Sequence, residues 1–223
     1  VFKTSLINNT VVASKRSILF TDEDGVLETH YLRELNILKS LNHTNVIKFY
    51  GYCVNQFDHI FIHLELMDET LEQHITSNPN IGDNIRFKYI LELLHGMQYL
   101  HSCGIIHRDL SHQNIMIRNN QLKIIDFGMA RRLSTPCEKI IVHSTVCCML
   151  YRPIEILRGA KSYSFEFDVW SGGCLVYYIL SGLYLFDYEP SCIPNADKMS
   201  QEDRMIYIIQ TYKIKRLNRD RKS

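Results

Sequence analysis

Apolar and polar positions alternate with a period of two through residues 1–20, and the run is interrupted by the polar triplet Asn8-Asn9-Thr10. That pattern predicts strand structure broken by a turn. The period then changes. Between residues 28 and 42, Tyr31, Leu35, Leu38 and Asn42 fall on one helical face, and Glu34, Leu38 and Leu41 on its neighbour. Residues 46–54 and 59–66 return to strand character, closing a small β-rich unit near residue 67. A long helix is then predicted from Asp83, as its N-cap, to Gly104 just past its end, with Phe87, Ile90, Leu94, Met97 and His101 along one face. A polar segment covers residues 131–145. Further helices are predicted over residues 169–180 and 201–212, the first with the apolar content of a buried helix.

Between the long helix and that polar segment lie two short apolar runs, Ile115-Met116-Ile117 and Leu122-Lys123-Ile124-Ile125, around Asn119-Asn120. They predict an antiparallel hairpin. Positions 114 and 126 are equidistant from residue 120, so closing the hairpin is expected to bring Asn114 beside Asp126. An amide oxygen and a carboxylate together are hard ligands suited to Mg²⁺. Asp109, five residues before Asn114, is near enough to act as a base beside such a metal.

Bulk properties narrow the partners. A formal net charge of +1 argues against nucleic-acid binding through bulk electrostatics. Hydrophobic residues make up 46% of the 223, enough for a substantial core. The longest apolar run, residues 174–180, is too short to span a membrane. Seven cysteines without zinc-like spacing fit a reducing compartment, cytoplasmic or nuclear. The first residues do not read as a signal peptide. The basic tail, residues 213–223, is expected to be a solvated helix end or frayed terminus.

His107-Arg108-Asp109, Asn114 five residues on, and Asp126-Phe127-Gly128 together resemble the catalytic loop and metal motif of eukaryotic-type protein kinases. Val12-Ala13-Ser14-Lys15 resembles the V-A-x-K strand, and Glu34 stands where the family places that lysine's ion-pair partner. Tyr151-Arg152-Pro153-Ile154-Glu155 resembles the end of the activation segment, and Asp168-Val169-Trp170-Ser171-Gly172 the start of the central C-lobe helix. The Y-R-P form and Arg33 before Glu34 are most similar to the cyclin-dependent and MAP kinase group. The resemblance covers about residues 1–212.

It implies an α+β bilobal fold, with an N-lobe over residues 1–67 and a C-lobe over 68–223, using ATP and Mg²⁺ on a protein substrate. Lys15 and Glu34 would position phosphates, Asn114 and Asp126 would bind metal, and Asp109 would orient and deprotonate the acceptor. Val1, Ala13 and Met116 would sandwich the adenine, Leu64 would guard its back, and the backbone of Glu65 and Met67 would pair with its edge. Leu38, Phe49, His107 and Phe127 match the stacked apolar spine of an assembled kinase. Asp168 would cap the catalytic-loop backbone. Arg33, Arg108 and Arg131 would converge on a phosphate in the activation segment, at Ser144 or Thr145, or less directly at Ser134 or Thr135. An activating partner would dock near the helix of Glu34.

The chain departs from the family pattern in four places. Val1 matches the valine that follows the last glycine of the phosphate loop, so the pattern begins one motif late. Ser111 stands where serine/threonine kinases have lysine, and Cys148 where they have the threonine that pairs with it. At the other end, the last C-lobe helices and the usual arginine partner of Glu155 have no counterpart. Two readings stay open: a kinase acting on serine or threonine, with tyrosine not separated, and a pseudokinase-like binding module.

Overall fold

Asparagine tolerates left-handed backbone better than most residues, and Asn9, at φ 63°, turns the chain between its first two strands. A computed structural model describes residues 1–18, 29–57, 59–135, 138–141, 147–186, 193 and 198–219. The alternating segment forms β1 (Phe2–Ser5) and β2 (Val11–Ile18), followed by helix α1 (Thr29–Ser40), β3 (Phe49–Val54) and β4 (His59–Glu65). The four strands make one antiparallel sheet in the order β1-β2-β4-β3. Strand β3 is shorter than the run 46–54, because residues 46 and 47 turn to the second lobe. Val46 bridges Ile124, and the Ile47 N–H donates to the Ile124 carbonyl at 2.9 Å.

After residue 67, β5 (Glu69–Thr70) leads into α2 (Leu71–Ser77), closed at its start by a capping box between Thr70 and Gln73. Helix α3 (Asp83–Ser102) departs from expectation twice. Its N-cap is Gly82, without a side-chain hydrogen bond; Asp83 is the first helical residue, where its charge complements the helix dipole. Its buried stripe is Tyr89, Leu93, Gly96, Met97 and Leu100, while Phe87 and Leu94 are 57% and 45% exposed. The expected face is thus rotated by about a quarter-turn. Gly96 decides the orientation, since a Cβ there would meet Ile124 Cδ1 at 2.9 Å and the Asn45 carbonyl at 3.0 Å. The bare backbone of α3 therefore lies against the second lobe's hairpin. Gly104, at φ 71°, ends the helix as its spacing suggests.

The chain continues through β6 (Ile105–Ile106), the hairpin β7 (Ile115–Arg118) and β8 (Gln121–Ile124), then β9 (Arg131–Arg132) against β6 and β10 (Ile140–Ile141). A 3₁₀ turn at Met149–Tyr151 precedes α4 (Ile154–Leu157), β11 (Ser162–Tyr163) pairs with β10, and α5 (Glu166–Ser181) and α6 (Gln201–Arg219) follow. Helix α5 starts before residue 169, and α6 runs past residue 212 into the basic tail. One hydrophobic cluster is continuous from Leu35 and Leu38 on α1, through Phe127, to Leu175 on α5 and Ile209 on α6. Two lobes, one β-rich and one mainly helical, therefore share a core. Among the described residues no helix is long and apolar enough to cross a membrane.

Candidate active site

The hairpin fixes the first half of the site. Its register pairs Ile115 with Ile124 and Arg118 with Gln121, leaving Asn119 and Asn120 as a two-residue turn at φ 49° and 56°. Positive φ at both centres matches the twist of paired strands, which is why asparagines occupy them. The pairing axis therefore passes between residues 119 and 120, half a residue off the axis expected. Asn114 faces Ile125, whose N–H donates to the Asn114 carbonyl at 2.9 Å, and Asp126 stands one residue beyond in left-handed backbone at φ 58°.

Asp109 sits on a loop held from behind by Asp168. The Asp168 carboxylate, 1% exposed, accepts the His107 N–H at 2.8 Å and the Arg108 N–H at 2.9 Å. His107 bonds the Ile125 carbonyl at 2.8 Å and meets the Phe127 ring edge-on, 5.1 Å between centroids. In front, Asn114 Nδ2 donates to the Asp109 carbonyl at 2.8 Å and to Asp109 Oδ2 at 2.7 Å. The Cys148 N–H also donates to Asp109. Burial pushes the Asp109 carboxyl above its ordinary value against the pull of His107 and Asn114, and the negative charge of Asp126 adds to the rise. That suits a general base.

Lys15 supplies the second half. Its Nζ lies 2.8 Å from Glu34 Oε1 and 2.9 Å from Asp126 Oδ1. Burial alone would lower the Lys15 pKa, but attraction to Glu34 and Asp126 outweighs it and the ammonium is held charged. Burial pushes Glu34, 2% exposed, upward with Lys15 opposing. Asp126 is also partly desolvated, yet Lys15 and the Gly128 N–H hold it below the usual carboxylate range.

A cavity of about 300 Å³ opens onto this cluster. Val1, Ala13, Leu64, Glu65, Met67 and Met116 line it together with Lys15, Glu34 and Asp126. Every residue read from the sequence as contacting adenine is therefore on one wall set. Leu66, between Glu65 and Met67 in the segment that resembles the hinge, joins them, as do Ile47 and Ile125, which sequence reasoning missed. Ile125 was legible, since it precedes Asp126 directly; Ile47 was taken for a strand residue. The Glu65 carboxylate is engaged with Lys123 at 3.0 Å and its N–H donates to the Lys48 carbonyl at 2.9 Å, so its own carbonyl oxygen is what remains for a ligand. The Met67 N–H has no hydrogen bond among the described residues.

The donor set fits a hard divalent cation. Asn114 spends its amide N–H groups on Asp109, which leaves its carbonyl oxygen as donor, and Asp126 uses only Oδ1 on Lys15 and Gly128. No group of three or more His, Cys, Asp or Glu able to hold a metal exists among the described residues. A cation here needs additional oxygens, as Mg²⁺ obtains from phosphates and water.

The three arginines behave differently. Arg108, 7% exposed with φ 67°, donates from Nε to the Met129 carbonyl at 2.6 Å and from Nη1 to the Tyr163 hydroxyl at 2.7 Å. Arg131 lies on β9, and Arg33 on α1 beside Glu34. Ser144 and Thr145 lie outside the described residues, whereas Ser134 and Thr135 are exposed. Ser111 is buried at 4% exposure, and Cys148 meets Asp109 through its backbone.

A family model described as "Protein kinase domain" matches residues 1–222. Two Acanthamoeba polyphaga mimivirus proteins named as serine/threonine-protein kinases, L673 and L670, are 37% and 38% identical to this chain over 188 and 182 residues. Those matches cover 78% and 80% of this chain and 34% and 32% of the relatives, so it spans about a third of their length. The structure titled "Crystal Structure of the yeast RNA Pol II CTD kinase CTDK-1 complex" matches with a TM-score of 0.74 and 28% identity, covering 91% of this chain and 61% of that one.

Proposed function

The chain belongs to the protein kinase family, and from that premise we propose that it transfers the γ-phosphate of ATP to a serine or threonine hydroxyl of a protein substrate. The observation that carries this reading is the Lys15 ammonium between Glu34 and Asp126, at 2.8 and 2.9 Å, on the cavity that adenine would fill. A cation held in a low-dielectric wall, with its counter-charges already placed, is prepared to receive phosphate oxygens.

The chain's own groups divide the work. The Met67 N–H and the Glu65 carbonyl read the base edge, between Ala13 and Met116. Lys15 moves from Asp126 toward the phosphates while Glu34 retains it. Asp109, steadied by Asn114 and the Cys148 N–H, accepts the proton of the acceptor hydroxyl. A divalent cation, Mg²⁺ by its hard donors, would be held by the Asn114 carbonyl oxygen and Asp126 and would neutralise phosphate charge.

The named mimivirus relatives support serine and threonine as acceptors. A silent binding module is disfavoured, because all five polar side chains of the site are held in mutually consistent positions. An activating protein partner at α1 belongs to the same proposal, supported by Leu32, 37% exposed beside Arg33. So does a phosphate on the segment around Ser144 and Thr145, read by Arg33 and Arg131 rather than by Arg108, which is buried on the Met129 carbonyl and the Tyr163 hydroxyl, and so does action in the cytoplasm or nucleus.

The test is Mg²⁺-ATP-dependent transfer to a basic protein substrate, with phosphoamino-acid analysis, for wild type, Asp109→Asn and Asp126→Asn. Phosphoserine or phosphothreonine formation that both substitutions abolish is expected. A folded wild-type chain without transfer overturns the proposal.

A further inference from the structure

His112 lies in the loop between Asp109 and Asn114, yet its side chain points away from the cavity and is 4% exposed. A buried imidazole presents one acceptor and one donor nitrogen, and both must be matched. Nδ1 is 2.8 Å from the Tyr151 hydroxyl. That same hydroxyl also receives the His112 backbone N–H. An oxygen that accepts the backbone N–H and donates its own proton to Nδ1 satisfies three groups at once. It fixes the neutral tautomer with the proton on Nε2. Nε2 then faces Glu72 Oε2 at 3.4 Å and the Tyr184 hydroxyl at 3.4 Å, and Tyr184 donates to Glu72 Oε1 at 3.1 Å. The rings of Tyr151, Tyr178 and Tyr184 enclose the imidazole at 5.2 to 5.6 Å between centroids.

Tyr151 is more than a partner of convenience. It opens the segment Tyr151–Glu155, its carbonyl accepts from Ser171 on α5 at 2.8 Å, and it is 1% exposed. We infer that His112 is a positioning residue that locks the loop carrying Asp109 to the segment beginning at Tyr151, which its likeness to the end of a kinase activation segment makes the seat of the acceptor peptide, so that base and seat move as one body. The Cys148 N–H on Asp109 is a second tie between the same two segments. With two ties, the distance from the base to a seated hydroxyl is set by the protein before substrate arrives. Burial pushes the Tyr151 hydroxyl well above its ordinary pKa, which keeps it a proton donor across the physiological range.

The inference rests on the phosphotransfer reading for its consequence, so the test carries one readout that needs no turnover. Amide hydrogen exchange across residues 109–114, followed by mass spectrometry, and peptide kinetics are measured on wild type, Tyr151→Phe, His112→Leu, His112→Asn and the double variant Tyr151→Phe/His112→Leu. Asparagine keeps an acceptor near the place of Nδ1. Tyr151→Phe and His112→Leu are each expected to speed loop exchange and to raise KM for the peptide about tenfold, with KM for ATP within about twofold of wild type. The double variant should lose less than the two single losses combined, since both remove the shared Nδ1–hydroxyl contact. His112→Asn should recover most of the loss. Exchange coupling in a wild-type chain that shows no transfer would uphold the lock and sink the phosphotransfer reading. Singles whose effects multiply, or whose losses follow thermal stability with no split between the two KM values, would overturn the lock.

Discussion

Lys15 Nζ lies 2.8 Å from Glu34 Oε1 and 2.9 Å from Asp126 Oδ1, so one ammonium joins the N-lobe sheet, its helix and the C-lobe loop. Residues 111 positions apart in sequence meet there. Glu34 has almost no contact with water, and removing Lys15 leaves its charge buried without a partner. Lys15→Met should therefore cost about 3–5 kcal/mol of stability at neutral pH and at least a hundredfold in transfer, as losing a preorganised charge does. Glu34→Gln keeps a hydrogen-bond acceptor and should be milder in both. Because burial holds the Glu34 pKa up, protonation at low pH relieves the Lys15→Met defect. Urea unfolding at pH 5 and pH 8 should show the variant closer to wild type at pH 5.

Asp109 separates chemistry from stability. Its folded pKa is raised, so the folded state binds the proton more tightly than the unfolded chain. Stability from this group is therefore present at low pH and lost as pH rises through the window between the ordinary carboxylate value, about 4, and the raised folded value. Asp109→Asn removes the cost of the charge while keeping one acceptor oxygen for the Asn114 amide. The variant should be at least as stable as wild type at pH 7, with its advantage shrinking toward pH 4. Transfer should fall by roughly 10²–10⁴, and the wild-type acid limb should lie above the ordinary carboxylate range. Loss of stability at neutral pH in Asp109→Asn would refute this account.

Much of this was legible in the sequence where local chemistry left one solution. Asn119-Asn120 between two apolar runs allows a two-residue turn with positive φ at both centres, and that is the turn found. The residues assigned to an adenine site from their motif positions line a single cavity. The failures have a common physical cause. Helix α3 carries apolar residues on most of its surface, so periodicity could not choose a face. The choice came from the close approach of Gly96 to Ile124, a tertiary fact. The hairpin axis was misplaced by half a residue because counting to a central residue assumes an odd-length turn. Nothing in the sequence marked His112 as buried, because its partners Glu72, Tyr151 and Tyr184 come from three other segments.

Gly96 and Gly172 offer a direct comparison of two tight contacts. A methyl at Gly96 meets the Asn45 backbone carbonyl at 3.0 Å and Ile124 Cδ1 at 2.9 Å, and a backbone cannot swing aside. A methyl at Gly172 meets only Met97, at 2.6 Å from Cε and 2.8 Å from Sδ, the far end of a flexible side chain. Gly96→Ala should destabilise by about 1–3 kcal/mol through overpacking. Both substitutions gain helix propensity, so the contact decides, and Gly172→Ala should fall below half of that loss. Equal midpoints in urea denaturation for the two variants would contradict the geometry.

Asp168 makes the sharpest structural claim, because both its oxygens are committed and almost no water reaches it. Oδ2 accepts the His107 N–H and lies 3.0 Å from His101 Nε2, while Oδ1 accepts the Arg108 N–H. Arg108 sits at φ 67°, in backbone that a non-glycine residue adopts only when its surroundings impose it. Asparagine at 168 has one acceptor oxygen; its amide would point N–H at a backbone N–H and leave a buried donor unmatched. Asp168→Asn should therefore lose about 2–4 kcal/mol, more than a neutral hydrogen bond is worth, because a charged acceptor of two donors is removed. The strained Arg108 should relax once its N–H is released, carrying Asp109 away from the Cys148 N–H. Turnover should then fall while KM for ATP, set by the cavity around Leu64 and Met67, stays near wild type. An Asp168→Asn protein with wild-type unfolding midpoint and turnover would show that the loop holds its shape without this carboxylate.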